Sequence, residues 1–319
     1  MEFFGKQTNI DFLGIKVYTA ILSLVLVLAS IAGIAIKGLN WGLDFTGGYA
    51  LEVQYPSAPD LAKVRAALSA VDFSHADVVQ FGSSRDIRIV IQPKYAQHVM
   101  KNKTVNVKQQ TASEKLQAMV QEALGAKASI KSVNFTGPEV GKELAETGIL
   151  AMLIAVIATM IYIAMRFEMR FAVSSAIALA HDPILILGVF AWFQFHFDLT
   201  ALAAILAIIG YSLNDTVVVY DRVRENFKKM AKASVEHVVN RAINDTLSRT
   251  IMTSGFTLLV VVVLFYFGGP SIHYFSLALV LGVIIGTYSS IYVAGALAVV
   301  LGLSREALYP DAKPIDDMP

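Results

Sequence analysis

The sequence contains no cysteine, and only 16% of its 319 residues are charged. The absence of cysteine excludes disulfides, cysteine-ligated zinc, iron–sulfur clusters and thiol catalysis. The charged fraction is well below the roughly 25% that is usual for soluble domains. With 55% hydrophobic residues and a mean hydropathy of +0.59, the composition indicates a membrane protein. The formal net charge of +1 gives no indication of nucleic-acid binding.

Sequence motifs of common enzymes are also missing. The chain has no nucleotide-binding GxxxxGK[ST], no zinc-binding HExxH and no GxSxG nucleophile elbow. We therefore predict that the protein is not an enzyme and holds neither a metal nor an organic cofactor.

Six apolar runs are long enough to cross about 30 Å of hydrocarbon as helices. They are Val17–Ile36, Thr147–Met165, Phe171–Phe193, Leu199–Tyr220, Ile251–Phe267 and Ile272–Leu303. The first run lacks a small-residue cleavage site and is expected to remain as an anchor. The predicted organisation is an N-terminus at 1–16, a first span at 17–37, a polar domain at 38–141, a five-helix bundle at 142–303 and a tail at 304–319.

The distribution of Lys and Arg predicts the orientation. Basic residues crowd positions 222–249 and flank 165–170, whereas the connections at 194–198 and 268–273 contain none. The positive-inside rule then places both termini in the cytoplasm and the polar domain outside. The stretch 221–248 is predicted to be a basic cytoplasmic loop with amphipathic spacing, which lies along the inner surface and contacts membrane lipids rather than nucleic acid.

The polar domain shows alternating strand and helix patterns. The predicted elements are a strand at Tyr49–Tyr55, a helix at Ala58–Ala70 with Asp60 as N-cap, strands at Ala76–Phe81 and Ile87–Gln92, a helix at Ser113–Leu124 and a strand at Ala128–Phe135. The order β-α-β-β-α-β predicts a ferredoxin-like sandwich. Positions 95–110 carry no clear pattern and are predicted to be a loop.

Ionisable residues inside the spans are the first functional candidates, because a charge near the bilayer centre is costly. Asp215 lies in the fourth span and Asp182 near the middle of the third, while Arg249 stands at the cytoplasmic end of the fifth. A movable contact between Arg and Asp is a physical means of loading and releasing a proton. The alternatives are fixed interhelical hydrogen bonds for the carboxylates and a headgroup contact for Arg249. His181 is either a proton relay or a structural group.

Two glycines in the sixth span, Gly282 and Gly286, form a small-xxx-small pair. Such pairs let another helix approach closely and do not identify the partner. We predict a packing role for both.

Two motifs carry a resemblance to a known family. The stretch 41–48, with Gly42, Asp44, Gly47 and Gly48, resembles the Gly-Leu-Asp-Phe-Thr-Gly-Gly signature of the SecD and SecF proteins. Residues 211–226, which include Asn214 and Asp215, and residues 242–250 are similar to the fourth-helix and fifth-helix motifs of the SecF family. From the residues alone, the glycines suit a tight turn and Asp44 suits a bond to backbone amides.

The resemblance implies a half bundle related to the resistance-nodulation-division exporters, in the bacterial inner membrane, completed to twelve helices by SecD. It implies that a proton gradient drives the promotion of preprotein export beside the SecYEG channel, with YajC as a further partner. It places the proton-linked pair on Asp215 and Arg249 and gives Asp182 less support. The competing interpretations are a proton-coupled solute exporter of the same superfamily and a passive assembly scaffold.

Overall fold

The computed structural model describes residues 8–80, 83–92, 95–96, 112–230 and 232–308. Its elements, in chain order, are α1 (Lys16–Lys37), β1 (Asn40–Trp41), α2 (Leu43–Thr46), β2 (Gly48–Gln54), α3 (Leu61–Ser69), β3 (Asp77–Gln80), β4 (Asp86–Ile91), α4 (Ala112–Leu124), β5 (Ser129–Thr136), α5 (Pro138–Arg166), α6 (Met169–Phe193), β6 (His196–Phe197), α7 (Leu199–Lys229), α8 (Val235–Phe267), α9 (His273–Tyr288), a π-helical segment (Ser289–Ala294), α10 (Gly295–Val300) and α11 (Arg305–Leu308).

Six helical segments of the described chain are long and apolar enough to cross a membrane. They are α1, α5, α6, α7, α8 and the continuous stretch from α9 through α10, so the six predicted spans are confirmed. Their surroundings differ: about half of the apolar stretch of α6, α7 and α9 is buried, against 17% for α1, 11% for α5 and 17% for α8. Helices α6, α7 and α9 therefore form the centre of the bundle, and α1, α5 and α8 lie at its periphery.

The polar domain between α1 and α5 is built on a four-stranded antiparallel sheet with the order β3-β4-β2-β5. Alternate residues of β4 are buried, and α3 and α4 supply Leu68 and Leu116 to the same core. Asp60 caps α3 by accepting the Ala62 amide at 2.9 Å. The described elements follow the order β-α-β-β-α-β. Most of the predicted loop at 95–110 lies outside the described residues.

The basic stretch at 221–248 differs from its prediction. Instead of a loop along the membrane, α7 continues to Lys229 and α8 already begins at Val235, so only residues 230–234 connect them. Ion pairs one helical turn apart support both extensions, such as Lys229 with Glu225 at 2.7 Å. Ser234 caps α8 through the His237 amide. The amphipathic spacing of this segment therefore belongs to two long helices.

The chain that precedes α1 is attached to the start of α8. The Ile10 amide donates to Asn244 Oδ1 at 2.8 Å, and the Phe12 amide donates to Asn240 Oδ1 at 2.8 Å. Lys16 forms an ion pair with Glu236. The extension of α8 thus fixes the entry of the chain into the first span.

Candidate functional site

Asp182 lies at the centre of a polar cluster inside the bundle. Its side chain is completely buried, on α6. Ser212 of α7 donates to Asp182 Oδ2 at 2.7 Å, and Ser289 of the π-helical segment donates to the same oxygen at 2.9 Å. His181 Nδ1 lies 3.0 Å from Asp182 Oδ1. Three helical elements therefore meet at one carboxylate, which has a partner on each oxygen.

Asp215 lies on α7 and is only 3% exposed. Its carboxylate lies near the Ser254 hydroxyl of α8 and interacts electrostatically with Arg249 of the same helix. Ser254 also accepts from Tyr211 at 3.3 Å and from Thr287 at 2.8 Å. A second polar cluster thus connects α7, α8 and α9.

The two clusters are neighbours. Ser212, which donates to Asp182, precedes Asp215 by three residues, and this spacing places both on one side of α7. The close packing of α9 against α7 brings the two clusters together. A Cβ added to Gly286 would lie 3.2 Å from Ser212 Cβ and 3.7 Å from Asp182 Oδ2, and one added to Gly282 would overlap the Ile208 side chain. The predicted packing glycines therefore let α9 lie directly against α7 at the depth of the acidic residues.

Arg249 is exposed on α8, and among the described residues no ion pair joins it to Asp215. The two residues nevertheless interact electrostatically. The arrangement is an open contact between a buried acid and a cation at the edge of the bundle. Such a contact can be closed or opened by a modest shift of α7 against α8.

Other predicted residues have different surroundings. Asn214 is exposed on α7, next to the buried Asp215. His181 is buried, and its Nε2 atom has no hydrogen-bond partner in the described part of the chain. Among the residues described, no group of three or more His, Asp or Glu side chains is placed to hold a metal ion.

The glycine motif at 41–48 lies where the polar domain meets the bundle. Asp44 Oδ2 accepts the Leu199 amide at 3.1 Å, at the first residue of α7. Gly47 and Gly48 have φ values of +65° and +129°, which glycine adopts without strain. The predicted bond from Asp44 to a backbone amide is therefore present, although its partner is 155 residues away.

The hydroxyl groups of both clusters were not predicted. They belong to Tyr211, Ser212, Ser254, Thr287 and Ser289. Serine and threonine are common in spanning helices, so their identity alone carries little signal. The available signal was the spacing of Ser212 one turn before Asp215.

Comparison with known proteins agrees with this architecture. The family model described as "Protein export membrane protein SecD/SecF, C-terminal" matches residues 115–304, and the "SecD/SecF GG Motif" matches residues 32–55. The protein translocase subunit SecF of Vibrio alginolyticus is 42% identical over 318 residues, which cover 98% of each chain. The Pseudomonas aeruginosa subunit of the same name is 41% identical over 316 residues, covering 98% of this chain and 99% of that relative.

Solved structures match as well. The crystal structure of SecDF, a translocon-associated membrane protein from Thermus thermophilus, superimposes with a TM-score of 0.81 at 32% identity over 94% of this chain. A super-membrane-facing form of SecDF matches with a TM-score of 0.68. The chain spans 39% of the length of these SecDF chains. With a family model that covers more than half of its length and full-length relatives above 40% identity, the chain belongs to the SecF family of protein export membrane proteins.

Proposed function

We propose that this chain is an accessory subunit of the Sec translocase that, together with SecD, uses the proton-motive force to promote preprotein export across the bacterial inner membrane. The names of its full-length relatives, all protein translocase subunits, support the translocase assignment. The proton gradient is the energy source, and no cofactor takes part.

The observation that carries the proposal is the environment of Asp215. Asp215 is only 3% exposed, and burying a carboxylate in a spanning helix costs free energy. Such residues usually mark ion or proton pathways. Asp215 lies near Ser254 and interacts electrostatically with Arg249, and no ion pair joins the two among the described residues. Protonation of Asp215 removes its attraction to Arg249, so occupancy by a proton changes the force between α7 and α8.

The mechanism follows from this change of force. A proton from the outside neutralises Asp215, α7 shifts against α8, and the proton leaves to the cytoplasm when Arg249 again approaches the carboxylate. Each charge that crosses the membrane supplies about 2.3 kcal/mol per 100 mV. Asp182 takes part through Ser212, which lies one turn from Asp215 on α7.

The polar domain is the part that acts on the preprotein. We assign it as a periplasmic, ferredoxin-like domain over residues 38–141, and both termini as cytoplasmic. The antiparallel order β3-β4-β2-β5 supports the ferredoxin-like assignment. The orientation is supported by the Lys and Arg residues of α7 and α8 near their connection, because basic residues are retained on the cytoplasmic side.

The partners are SecD, the SecYEG channel, YajC, the preprotein and the surrounding lipids. The SecD assignment is supported by the SecDF chains, of which this chain matches 39%. It is also supported by the exposed position of Arg249, because a cation at the edge of the bundle can face a second bundle. The cargo does not need to pass through the helices of this chain.

The test is preprotein translocation into inverted membrane vesicles that contain this chain and SecD, with and without a proton gradient. Asp215→Asn is compared with Asp221→Asn, which makes the same change six residues further along α7. The Asp221 side chain is 48% exposed and pairs with Arg166 at 3.3 Å, so it serves as a matched surface control. We expect Asp215→Asn to lose the gradient-dependent part of translocation and Asp221→Asn to keep it.

Complex formation with SecD is measured in the same vesicles. Loss of the gradient response with intact assembly supports a proton-driven subunit. If Asp215→Asn assembles with SecD and responds normally to the gradient, Asp215 has a structural role and the chain acts as a scaffold.

A further inference from the structure

The junction between the polar domain and the bundle is formed by backbone contacts of the glycine motif. Strand β1 pairs in parallel with β6, which immediately precedes α7. The Gly42 amide donates to the Phe197 carbonyl at 2.8 Å. A Cβ at Gly42 would lie 3.0 Å from Asp198 Cβ, so only glycine fits without a shift. The chain that leads into the domain therefore lies directly on the start of α7.

Asp44 adds a side-chain bond to this junction. Its Oδ2 accepts the amide of Leu199, and Asp198 Oδ1 accepts the amide of Ala201 at 2.8 Å. Asp198 is the N-cap of its own helix, whereas Asp44 reaches α7 from the other side of the junction. Negative charge at a helix N-terminus is favourable, so both carboxylates stabilise the same turn. Phe45 reinforces the contact by stacking on Phe197 with ring centroids 5.6 Å apart.

The other end of the motif enters the centre of the domain. Gly47 and Gly48 turn the chain into β2, and β2 pairs with β4 on one side and β5 on the other. The carbonyl oxygen of Ile91 lies so close to Gly48 that a Cβ would collide with it. Only three residues separate Asp44 from the first residue of the central strand. A displacement of Asp44 therefore acts on the sheet as a whole.

The same helix carries the proposed proton site. Asp215 follows Leu199 by sixteen residues, which corresponds to about 24 Å along a continuous helix. An α-helix resists axial compression because each turn is held by hydrogen bonds, so an axial shift of α7 at Asp215 reaches its first turn. We propose that Asp44 is a positioning residue that couples α7 to the extracytoplasmic domain, so that movement of α7 driven at Asp215 moves the domain. This inference rests on the proposed function.

The test uses Asp44→Ala with Asp60→Ala as the matched control. Both residues accept a backbone amide at the start of a helix, but Asp60 does so inside the domain, with Ala62. Spin labels are placed at Ala66→Cys on the domain and Ser271→Cys on the bundle, which are both exposed. The chain has no cysteine of its own, so each label position is unique within it. The labelled chain is measured in its complex with SecD in lipid, and translocation is measured in vesicles.

We expect Asp44→Ala to broaden the distribution of distances between the two spin labels. It should also reduce the gradient-dependent translocation about tenfold, which corresponds to the free energy of one charge-assisted hydrogen bond. Asp60→Ala should change neither quantity. Asp44→Asn keeps an acceptor oxygen, so it should show a narrow distance distribution and most of the gradient-dependent translocation. Because Asp44→Ala could affect assembly, Gly42→Ala serves as a second variant that pushes the junction apart at Asp198 with the Asp44 carboxylate intact, and it should also broaden the distribution.

The outcomes separate this inference from the proposed function. If Asp215→Asn abolishes the gradient response while Asp44→Ala keeps it, the coupling role of Asp44 is overturned and the proton site stands. A narrow distance distribution in both Asp44→Ala and Gly42→Ala also overturns the coupling role. If Asp215→Asn keeps the gradient response, the proposed proton-driven function is overturned, and the coupling role of Asp44 is overturned with it.

Discussion

Asp182 and Asp215 are buried at neighbouring positions of one bundle, yet their surroundings differ. Asp182 is enclosed by three helical elements and has a partner for each carboxylate oxygen. Asp215 lies near the Ser254 hydroxyl and interacts with Arg249, a cation at the exposed edge of the bundle. The first environment favours one fixed arrangement. The second can alternate between a closed and an open contact, which is what a site of proton exchange requires.

The comparison suggests a division of roles. The contacts of Asp182 join α6, α7 and the π-helical segment, whereas Asp215 is the residue that we propose to respond to the proton. π-Helical segments inside longer helices frequently occur at functional sites. Here the segment places the Ser289 hydroxyl within hydrogen-bonding distance of Asp182, so its irregular backbone forms part of the Asp182 cluster.

The largest expected effect on stability is that of Asp182→Ala. It leaves the hydroxyl groups of Ser212 and Ser289 without their buried acceptor, at a cost of about 1–3 kcal/mol for each unsatisfied group. We expect a loss of roughly 3 kcal/mol in the free energy of unfolding in detergent. Asp215→Ala should lose less than half as much, and an equal loss for the two variants would remove the distinction between the sites.

A smaller effect is expected for Gly286→Ala. The added Cβ would lie 3.2 Å from Ser212 Cβ and 3.7 Å from Asp182 Oδ2. Overpacking of this kind typically costs about 1–3 kcal/mol. Thermal unfolding should show the loss, whereas Gly255→Ala on α8, where an added Cβ meets no atom within 4 Å, should show none. A Gly286→Ala protein that is as stable as the parent would contradict the tight packing of α9 on α7.

Ser254→Ala tests the Asp215 side of the comparison. Hydrogen bonds between spanning helices average about 0.6 kcal/mol, so we expect a loss of unfolding free energy of that order. The gradient dependence of translocation should nevertheless shift, because Ser254 lies beside the Asp215 carboxylate. Ser290→Ala removes a hydroxyl whose one partner among the described residues is the Thr287 carbonyl of its own helical turn. It is the control and should leave that dependence unchanged.

The smallest effect concerns the contact between the domain and the bundle. Asp77 of β3 lies 3.3 Å from His196 Nε2, and this hydrogen bond is the main reason why the pKa of Asp77 is lowered. Arg65 also lowers it, while Tyr274 packs against His196. A lowered pKa means that the contact stabilises the fold above the ordinary aspartate pKa of about 3.9 and loses this contribution as the pH falls through the lowered value.

Because the Asp77 side chain is 48% exposed, the contribution is expected at the low end of the roughly 0.2–1 kcal/mol that exposed ion pairs contribute. Comparing the pH dependence of unfolding for the parent and Asp77→Asn measures it. The two curves should differ at neutral pH and converge in acid. Curves that remain parallel down to acidic pH would show that the contact contributes nothing.

Much of the fold could be predicted because its signals are long. Runs of about twenty apolar residues identify the six spans, and ionisable residues inside such runs identify Asp182, Asp215 and the end position of Arg249. The strand and helix patterns of the polar domain also coincide closely with the observed elements, for example Ser113–Leu124 against Ala112–Leu124.

The rest depends on tertiary contacts that leave no periodic signal. The pairing of β1 with β6 involves two residues from each strand, too few for an alternating pattern. The partner of Asp44 lies 155 residues away, and the hydroxyls around Asp182 matter only because of the rotation of α7 and the π-helical segment. The predicted loop at 221–248 was wrong because the fourth and fifth spans were predicted to extend only as far as their apolar runs, to Tyr220 and from Ile251. Charges one turn apart stabilise helices beyond those runs.

Infrared difference spectroscopy of the SecD complex in lipid, recorded between neutral and acidic pH, tests whether Asp215 takes up the proton. The quantity measured is the C=O stretching band of a protonated carboxyl group. Because the chain carries 25 Asp and Glu residues, the spectrum of each variant is subtracted from that of the parent protein. The expected result is a carboxyl band in the difference for Asp215→Asn and none in the difference for Asp182→Asn. A band in the difference for Asp182→Asn and none in that for Asp215→Asn would assign the proton to the enclosed site and contradict the role of Asp215.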